Sequence, residues 1–173
     1  MKFDPSIVQT HFQSPLGPMT LAATQTGLAG VWFMGQRHLP IELANAFSWP
    51  VNANHPVLVK TVTQLGEYFA GKRQVFDMPL DLSGGTTFQQ AVWQALLAIA
   101  PGQTSSYGHV SKTIGNAAAV RAVGAAVGRN PISIIVPCHR VVGTDGSLTG
   151  YAGGLDRKTA LLRLEGALEE NLL

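Results

Sequence analysis

The sequence holds a single cysteine, Cys138, and it is short of charge: Asp, Glu, Lys and Arg make up 13% of its 173 residues, roughly half the usual share. One cysteine excludes an internal disulfide, and a reduced thiol suits an intracellular compartment. No apolar run approaches the ~20 residues of a membrane span. Met1-Lys2-Phe3-Asp4-Pro5 lacks the apolar core of a signal peptide, so a soluble, cytoplasmic protein with no membrane partner is expected. His11, His38 and His55 have no cysteine or carboxylate at metal-ligand spacing, so neither a metal nor a cofactor is expected. Acidic residues are scarcest between Thr104 and Arg163. Seven cationic side chains there (Lys112, Arg121, Arg129, Arg140, Arg157, Lys158, Arg163) face only Asp145 and Asp156, a net +5. Such an excess suits an anionic partner, nucleic acid first, or else a solvated basic face; charge alone leaves the two even.

What the chain does have is a hydrophobic content of 46%, ordinary for a packed globular protein. Its length fits one large domain or two small ones. The first half patterns as an antiparallel meander: strands over Val8–Ser14, Met19–Thr24 and Leu28–Met34, with turns at Pro15–Pro18 and Gln25–Gly27. A short helix is expected around Ile41–Ala46. From Pro56, apolar residues recur at helical spacing through Phe69, and Gly71 ends that helix. Val75–Leu82 alternates as a further strand, and Ser83-Gly84-Gly85-Thr86 marks the domain boundary.

In the second half, Thr87 and Gln90 form a capping-box pattern. Phe88, Ala91, Val92, Ala95, Leu96 and Ile99 then make one apolar stripe, stopped by Pro101-Gly102. Ser105 or Ser106 caps a short helix ending at Gly115. A second helix, from about Ala117 to Val127, follows a Gly-Asn turn, so the pair has helix-turn-helix proportions. That second helix is nearly all Ala, Val and Gly, with Arg121 its only charge. It suits either burial with a snorkelling arginine or a nucleic-acid groove with Arg121 reaching into the base stack; spacing alone slightly favours burial. A last helix begins near Leu155, turning Leu161, Leu162, Leu164 and Leu168 inward beside Glu165.

Between these helices lies Ser133-Ile134-Ile135-Val136-Pro137-Cys138-His139-Arg140-Val141-Val142, patterned as a buried strand that delivers a thiol to its end. A cysteine attacks as its thiolate, which at neutral pH requires a base or a positive neighbour. His139 is the candidate base, but adjacent residues of an extended chain point to opposite sides, so contact needs a bend or a bridging water. The imidazole needs a partner on its other nitrogen. Glu165 is the best-placed acid, with Asp145 and Asp156 behind it. A lone cysteine is more often an inert buried thiol; the adjacent histidine and the basic, glycine-rich surroundings, including Gly150-Tyr151-Ala152-Gly153-Gly154, argue for chemistry.

These motifs, in order, resemble the O6-alkylguanine-DNA alkyltransferase family: Ser106-Tyr107-Gly108, Arg121-Ala122-Val123-Gly124, Asn130-Pro131, Pro137-Cys138-His139-Arg140-Val141, Gly150 to Gly154, and Leu164-Glu165-Gly166. The match covers the second half closely and the first half loosely. The resemblance implies an α+β fold, with a small antiparallel sheet and helices (ribonuclease H-like) over 1–83. A mostly helical, winged helix-turn-helix-like domain over 84–173 would carry the active site. It implies single-turnover repair, with Cys138 taking the alkyl group from O6 of a guanine flipped out of duplex DNA, chiefly O6-methylguanine, with O4-methylthymine a further candidate. The relay would run from Cys138 through water and His139 to Glu165. Asn130 would brace the turn, Arg121 would fill the gap left by the flipped base, and Tyr107 would hydrogen-bond its N3. The carbonyls of Cys138 and Val141 would read the exocyclic amine. Ala119, Arg129, Tyr151, Ala152 and Gly153 complete the expected DNA- and base-binding set, and the small residues of the second helix suit a minor groove. A monomer is implied, with cooperative binding along DNA left open. Two departures bear on adduct range: Ala152 replaces a serine of some members, and Ser133 a proline of others. The rival readings are a cysteine hydrolase, a non-catalytic lesion binder, for which Cys138 has no role, and a helix-turn-helix regulator.

Overall fold

The computed structural model describes residues 1–45 and 48–169 and divides the chain into two compact units, Met1–Thr86 and Thr87–Leu173. The first unit is built on a three-stranded antiparallel sheet in the order β1 (Val8–Ser14), β2 (Gly17–Ala23), β3 (Leu28–Phe33). The β1–β2 hairpin closes tightly, with Ser14 opposite Gly17. The Ser14 hydroxyl donates to the Gly17 carbonyl and accepts from the Leu16 amide. Every residue of β3 is buried. Gly30 lies under the Trp32 indole, where any side chain would overlap the ring, and Trp32 packs edge-on against Phe3 and tilted against Trp49.

Helix α1 (Pro56–Phe69) starts as its sequence dictates: Pro56 needs no N–H partner at the first turn, and the His55 ring accepts from the Val57 amide. Its buried face is Leu58, Thr61, Gln64, Leu65 and Tyr68, and Gly71, at φ +74°, turns the chain away. The short helix expected at 41–46 is a single 3-10 turn over Ile41–Ala44; Ala46 lies outside the described residues. The strand expected over Val75–Leu82 does not form, and only a one-residue bridge joins Leu28 and Leu80. Pro79 cannot donate to a ladder, and the backbone pairs elsewhere. The Asp77 amide donates to the Gln64 side chain and the Val75 carbonyl accepts from Arg73.

The second unit is helical. Helix α2 (Thr87–Leu96) already includes Thr87, the residue expected to cap it. It buries Val92, Trp93 and Leu96, while Ala91 faces out. The expected stripe is therefore rotated toward Trp93, whose indole N–H donates to the Ala126 carbonyl. After a two-residue strand, β4 (Ser105–Ser106), helix α3 (Tyr107–Thr113) is capped by Ser106, whose hydroxyl accepts from the His109 amide at 3.0 Å. Helix α4 spans Val120–Gly128. It begins three residues later than the alanine run suggests, because Asn116–Ala119 makes a turn held by the Ser111 hydroxyl on the Asn116 carbonyl. Strand β5 (Val141–Val142) pairs in parallel with β4, and α5 (Leu155–Leu164) closes the unit.

The segment leading to Cys138 is not a strand. Residues 131–137 fold as consecutive tight turns, with Ile134 at φ +73°, and Cys138–Arg140 forms one 3-10 turn. All of it is buried, yet its amides bond within the segment, Ile135 to Ser133 and Val136 to Ile132, so no ladder is available. An apolar run marks burial, and burial by itself does not select an extended backbone.

Candidate active site

Asn130, at the end of α4, organises the turn. Its amide donates to the carbonyls of Val136 (2.8 Å) and Ile132 (3.4 Å), and its oxygen accepts from the Ile132 amide (3.0 Å). These bonds hold a left-handed isoleucine, a conformation costing about 1–3 kcal/mol, and bring Cys138 to the start of the 3-10 turn. Burial raises the thiol's pKa; the neighbouring Asn130 amide and then the Lys158 charge pull it the other way.

His139 is fully buried, and its Nε2 lies 2.7 Å from Oε1 of Glu165. An ionised carboxylate can only accept, so Nε2 carries the hydrogen and Nδ1 presents a lone pair. Nδ1 is buried without a hydrogen-bond partner. Burial lowers the His139 pKa against the upward pull of Glu165, so the ring rests neutral. Glu165, at the C-cap of α5, feels burial pushing its pKa up, but hydrogen bonds from His139 and Arg140, with the Arg140 charge, prevail and bring it to about 2. The arrangement is an imidazole with a fixed tautomer next in sequence to a buried thiol. No Cys138–His139 hydrogen bond is formed, and the two residues sit in a 3-10 turn, not in an extended strand.

Two further residues belong to this centre and were missed in the sequence. Arg140 places Nε 2.9 Å from Glu165 Oε2, Nη2 2.9 Å from Oε1 and Nη1 2.6 Å from the Ile99 carbonyl. Lys158, fully buried, spends its three N–H groups on the carbonyls of Val141 (2.6 Å), Thr149 (2.8 Å) and Gly150 (3.1 Å). Burial brings its pKa down to about 8, with Cys138 opposing. Arg140 was visible within Pro-Cys-His-Arg; Lys158, in Leu-Asp-Arg-Lys at a helix start, had no signal separating it from a solvated lysine.

Tyr107 is half-buried and donates to the Thr149 carbonyl at 3.3 Å, which ties α3 to the Gly150–Gly154 loop. The Tyr151 hydroxyl is buried and lacks a well-formed hydrogen bond. Burial and then the Cys138 charge push its ionisation well above the usual value, with Ser133 pulling the other way. Ala152 and Gly153 are partly exposed in the same loop, and the Gly153 carbonyl accepts from Arg157. Arg121, Ala122 and Ala125 form an exposed face of α4, with Val123, Ala126 and Val127 behind them, so the helix is not buried with one snorkelling arginine. Ala119 and Arg129 stand at its two ends, Arg129 exposed. On α5, Leu161 and Leu162 are inward, whereas Leu164 is exposed and Leu168 lies beyond the helix. Among the described residues no cluster of His, Cys, Asp and Glu could hold a metal.

Residues 87–167 match the 6-O-methylguanine DNA methyltransferase DNA-binding domain, and residues 7–82 match the ribonuclease-like domain of the same proteins. A methylated-DNA–protein-cysteine methyltransferase of Methanosarcina acetivorans is 49% identical over 156 residues, 90% of this chain and 96% of the relative. One from Mycobacterium tuberculosis is 49% identical over 152 residues, 88% of each chain. The solved structure of Mycobacterium tuberculosis OGT in complex with DNA superposes with a TM-score of 0.80 at 45% identity, covering 93% of this chain and 92% of that one. The chain belongs to the methylated-DNA–protein-cysteine methyltransferase family.

Proposed function

We propose that this protein repairs O6-alkylguanine in duplex DNA, chiefly O6-methylguanine, by moving the alkyl group onto Sγ of Cys138. The observation that carries this reading is the buried Cys138 thiol flanked by Asn130, with the His139 ring held at Nε2 by Glu165. The thiol proton passes through a water to His139 Nδ1, and Glu165 stabilises the imidazolium. Sγ attacks the alkyl carbon, the C–O6 bond breaks, and its electron pair leaves with the guanine, which takes a proton from water with Tyr107 hydrogen-bonded at N3, while the imidazolium returns the thiol proton to solvent. The product is an S-alkylcysteine. A thioether has no proton to lose and is a poor leaving group, so each molecule acts once.

The target atom lies inside the base stack, so the guanine must be flipped out. The exposed small-residue face of α4 suits close approach to a minor groove, with Arg121 filling the space the base leaves. The carbonyls of Cys138 and Val141 read the exocyclic amine, and the loop carrying Tyr151, Ala152 and Gly153 closes over the base. The protein acts as a monomer in the cytoplasm; no described helix is long and apolar enough to cross a membrane.

The deciding experiment is intact-protein mass spectrometry after incubation with duplex DNA containing O6-methylguanine. The expected result is a gain of one methyl group on Cys138 that stops at one equivalent. No change in the reduced, folded protein would sink the reading, and continued turnover without an adduct would point to a hydrolase.

A further inference from the structure

The Glu165 carboxylate does not face His139 alone. Oε1 accepts from both His139 Nε2 and Arg140 Nη2, while Oε2 accepts from Arg140 Nε. The two Arg140 bonds are the parallel fork that a guanidinium makes with a carboxylate, which fixes direction as well as distance. The third Arg140 contact, Nη1 on the Ile99 carbonyl, anchors the fork to the turn that follows α2. Arg140 is 5% exposed and Glu165 equally so, and the group they steady, His139, is fully buried.

We propose that Arg140 is a positioning residue of the alkyl-transfer relay: by holding both oxygens of Glu165 it orients His139 through Nε2 while cancelling the carboxylate charge, so that the resting ring stays free to accept the thiol proton. This inference rests on the reading given above and names a residue that acts through Glu165. An isolated buried carboxylate 2.7 Å from an imidazole would draw a proton onto the pair at neutral pH. Whether that proton sat on His139 or on Glu165, the pair could not take another from Cys138 until the pH rose. With Arg140 in place the carboxylate is already neutralised. The charged and titratable groups facing His139 agree with this balance. Glu165 pulls its protonation up, whereas Arg140 on the same turn and Lys158 on α5 push it down. Cys138 is the proton donor itself.

The test is the pH profile of the single-turnover rate on an O6-methylguanine duplex, measured for the wild type, Arg140→Gln and Arg140→Lys after circular dichroism has verified folding. Removing the positive charge raises the protonation of His139, so the acid limb of Arg140→Gln moves up by about one pH unit. Arg140→Lys keeps the charge but loses the fork, so its limb stays near that of the wild type while its plateau rate falls. If both variants lower the plateau with unmoved limbs, Arg140 is structural only and the proposal is overturned. Should Arg140→Gln fail to fold, nitrogen-15 shifts of the wild-type His139 ring decide. A neutral, Nε2-protonated ring at neutral pH supports the proposal, and an imidazolium there overturns it. The ring measurement needs no DNA, and the wild-type mass gain tests the repair reading by itself, so the two ideas fail separately.

Discussion

Burial works against the Cys138 thiol before anything helps it. The groups that do help, Asn130 and Lys158, are each committed to backbone carbonyls, so local structure and reactivity share the same side chains. Lys158 makes the point most sharply. An ammonium has three donors and no acceptor, and here each donor meets one carbonyl: Val141, Thr149 and Gly150. The Thr149 carbonyl also accepts from Tyr107, so a single oxygen joins α3, α5 and the glycine-rich loop. Lys158→Met keeps the length and the apolar stem but abandons all three carbonyls. The expected outcome is faster amide exchange over residues 149–152 and a single-turnover rate lower by roughly tenfold or more, as misplaced reacting groups cost. Unchanged exchange in that loop would show that the lysine is not what holds it.

At the scale of elements, the helices and strands bounded by local turn and cap signals were legible in the sequence. The three-stranded meander, α1 with its proline start and glycine stop, and α3 with its serine cap all follow from local chemistry that the residues display. What was not legible had its cause at a distance. Nothing in Val75–Leu82 shows that Gln64, on α1, takes over the pairing of Asp77. Likewise nothing in Ile134-Ile135-Val136 shows that Asn130 draws the chain into a turn. The pairing of Glu165 with His139 was expected from chemistry and is present, whereas the fork of Arg140 required the fold. Helix α4 was ambiguous between burial and a groove because small residues suit both; its exposed Arg121, Ala122 and Ala125 resolve the choice toward a surface. On that surface Arg121→Ala should slow methyl transfer from duplex DNA far more than transfer from a free O6-benzylguanine-type base, because only the duplex must be held open. Equal losses on the two substrates would remove Arg121 from base flipping.

For the whole molecule, the question is which charges reach a partner. The net +5 between Thr104 and Arg163 overstates what DNA can meet, since two of its seven cations are internal. Arg140 is paired with Glu165, and Lys158 is enclosed by three carbonyls. Lys112, Arg121, Arg129 and Arg163 are exposed, and Arg157 is half-buried on the Gly153 carbonyl. Phosphate binding releases counterions, and log affinity falls against log salt by about 0.9 per phosphate neutralised. Binding to undamaged duplex, where no alkyl transfer intervenes, should therefore weaken with salt through the exposed cations alone. Arg129→Ala is expected to make the slope shallower by about 0.9, whereas Lys158→Met, though it removes the same formal charge, should leave the slope as it is. Fluorescence anisotropy over a salt series on one labelled duplex measures both. A slope that shifts equally for the two variants would mean that charge acts by its total and not by its placement, and the exposed face of α4 would lose its claim to the DNA.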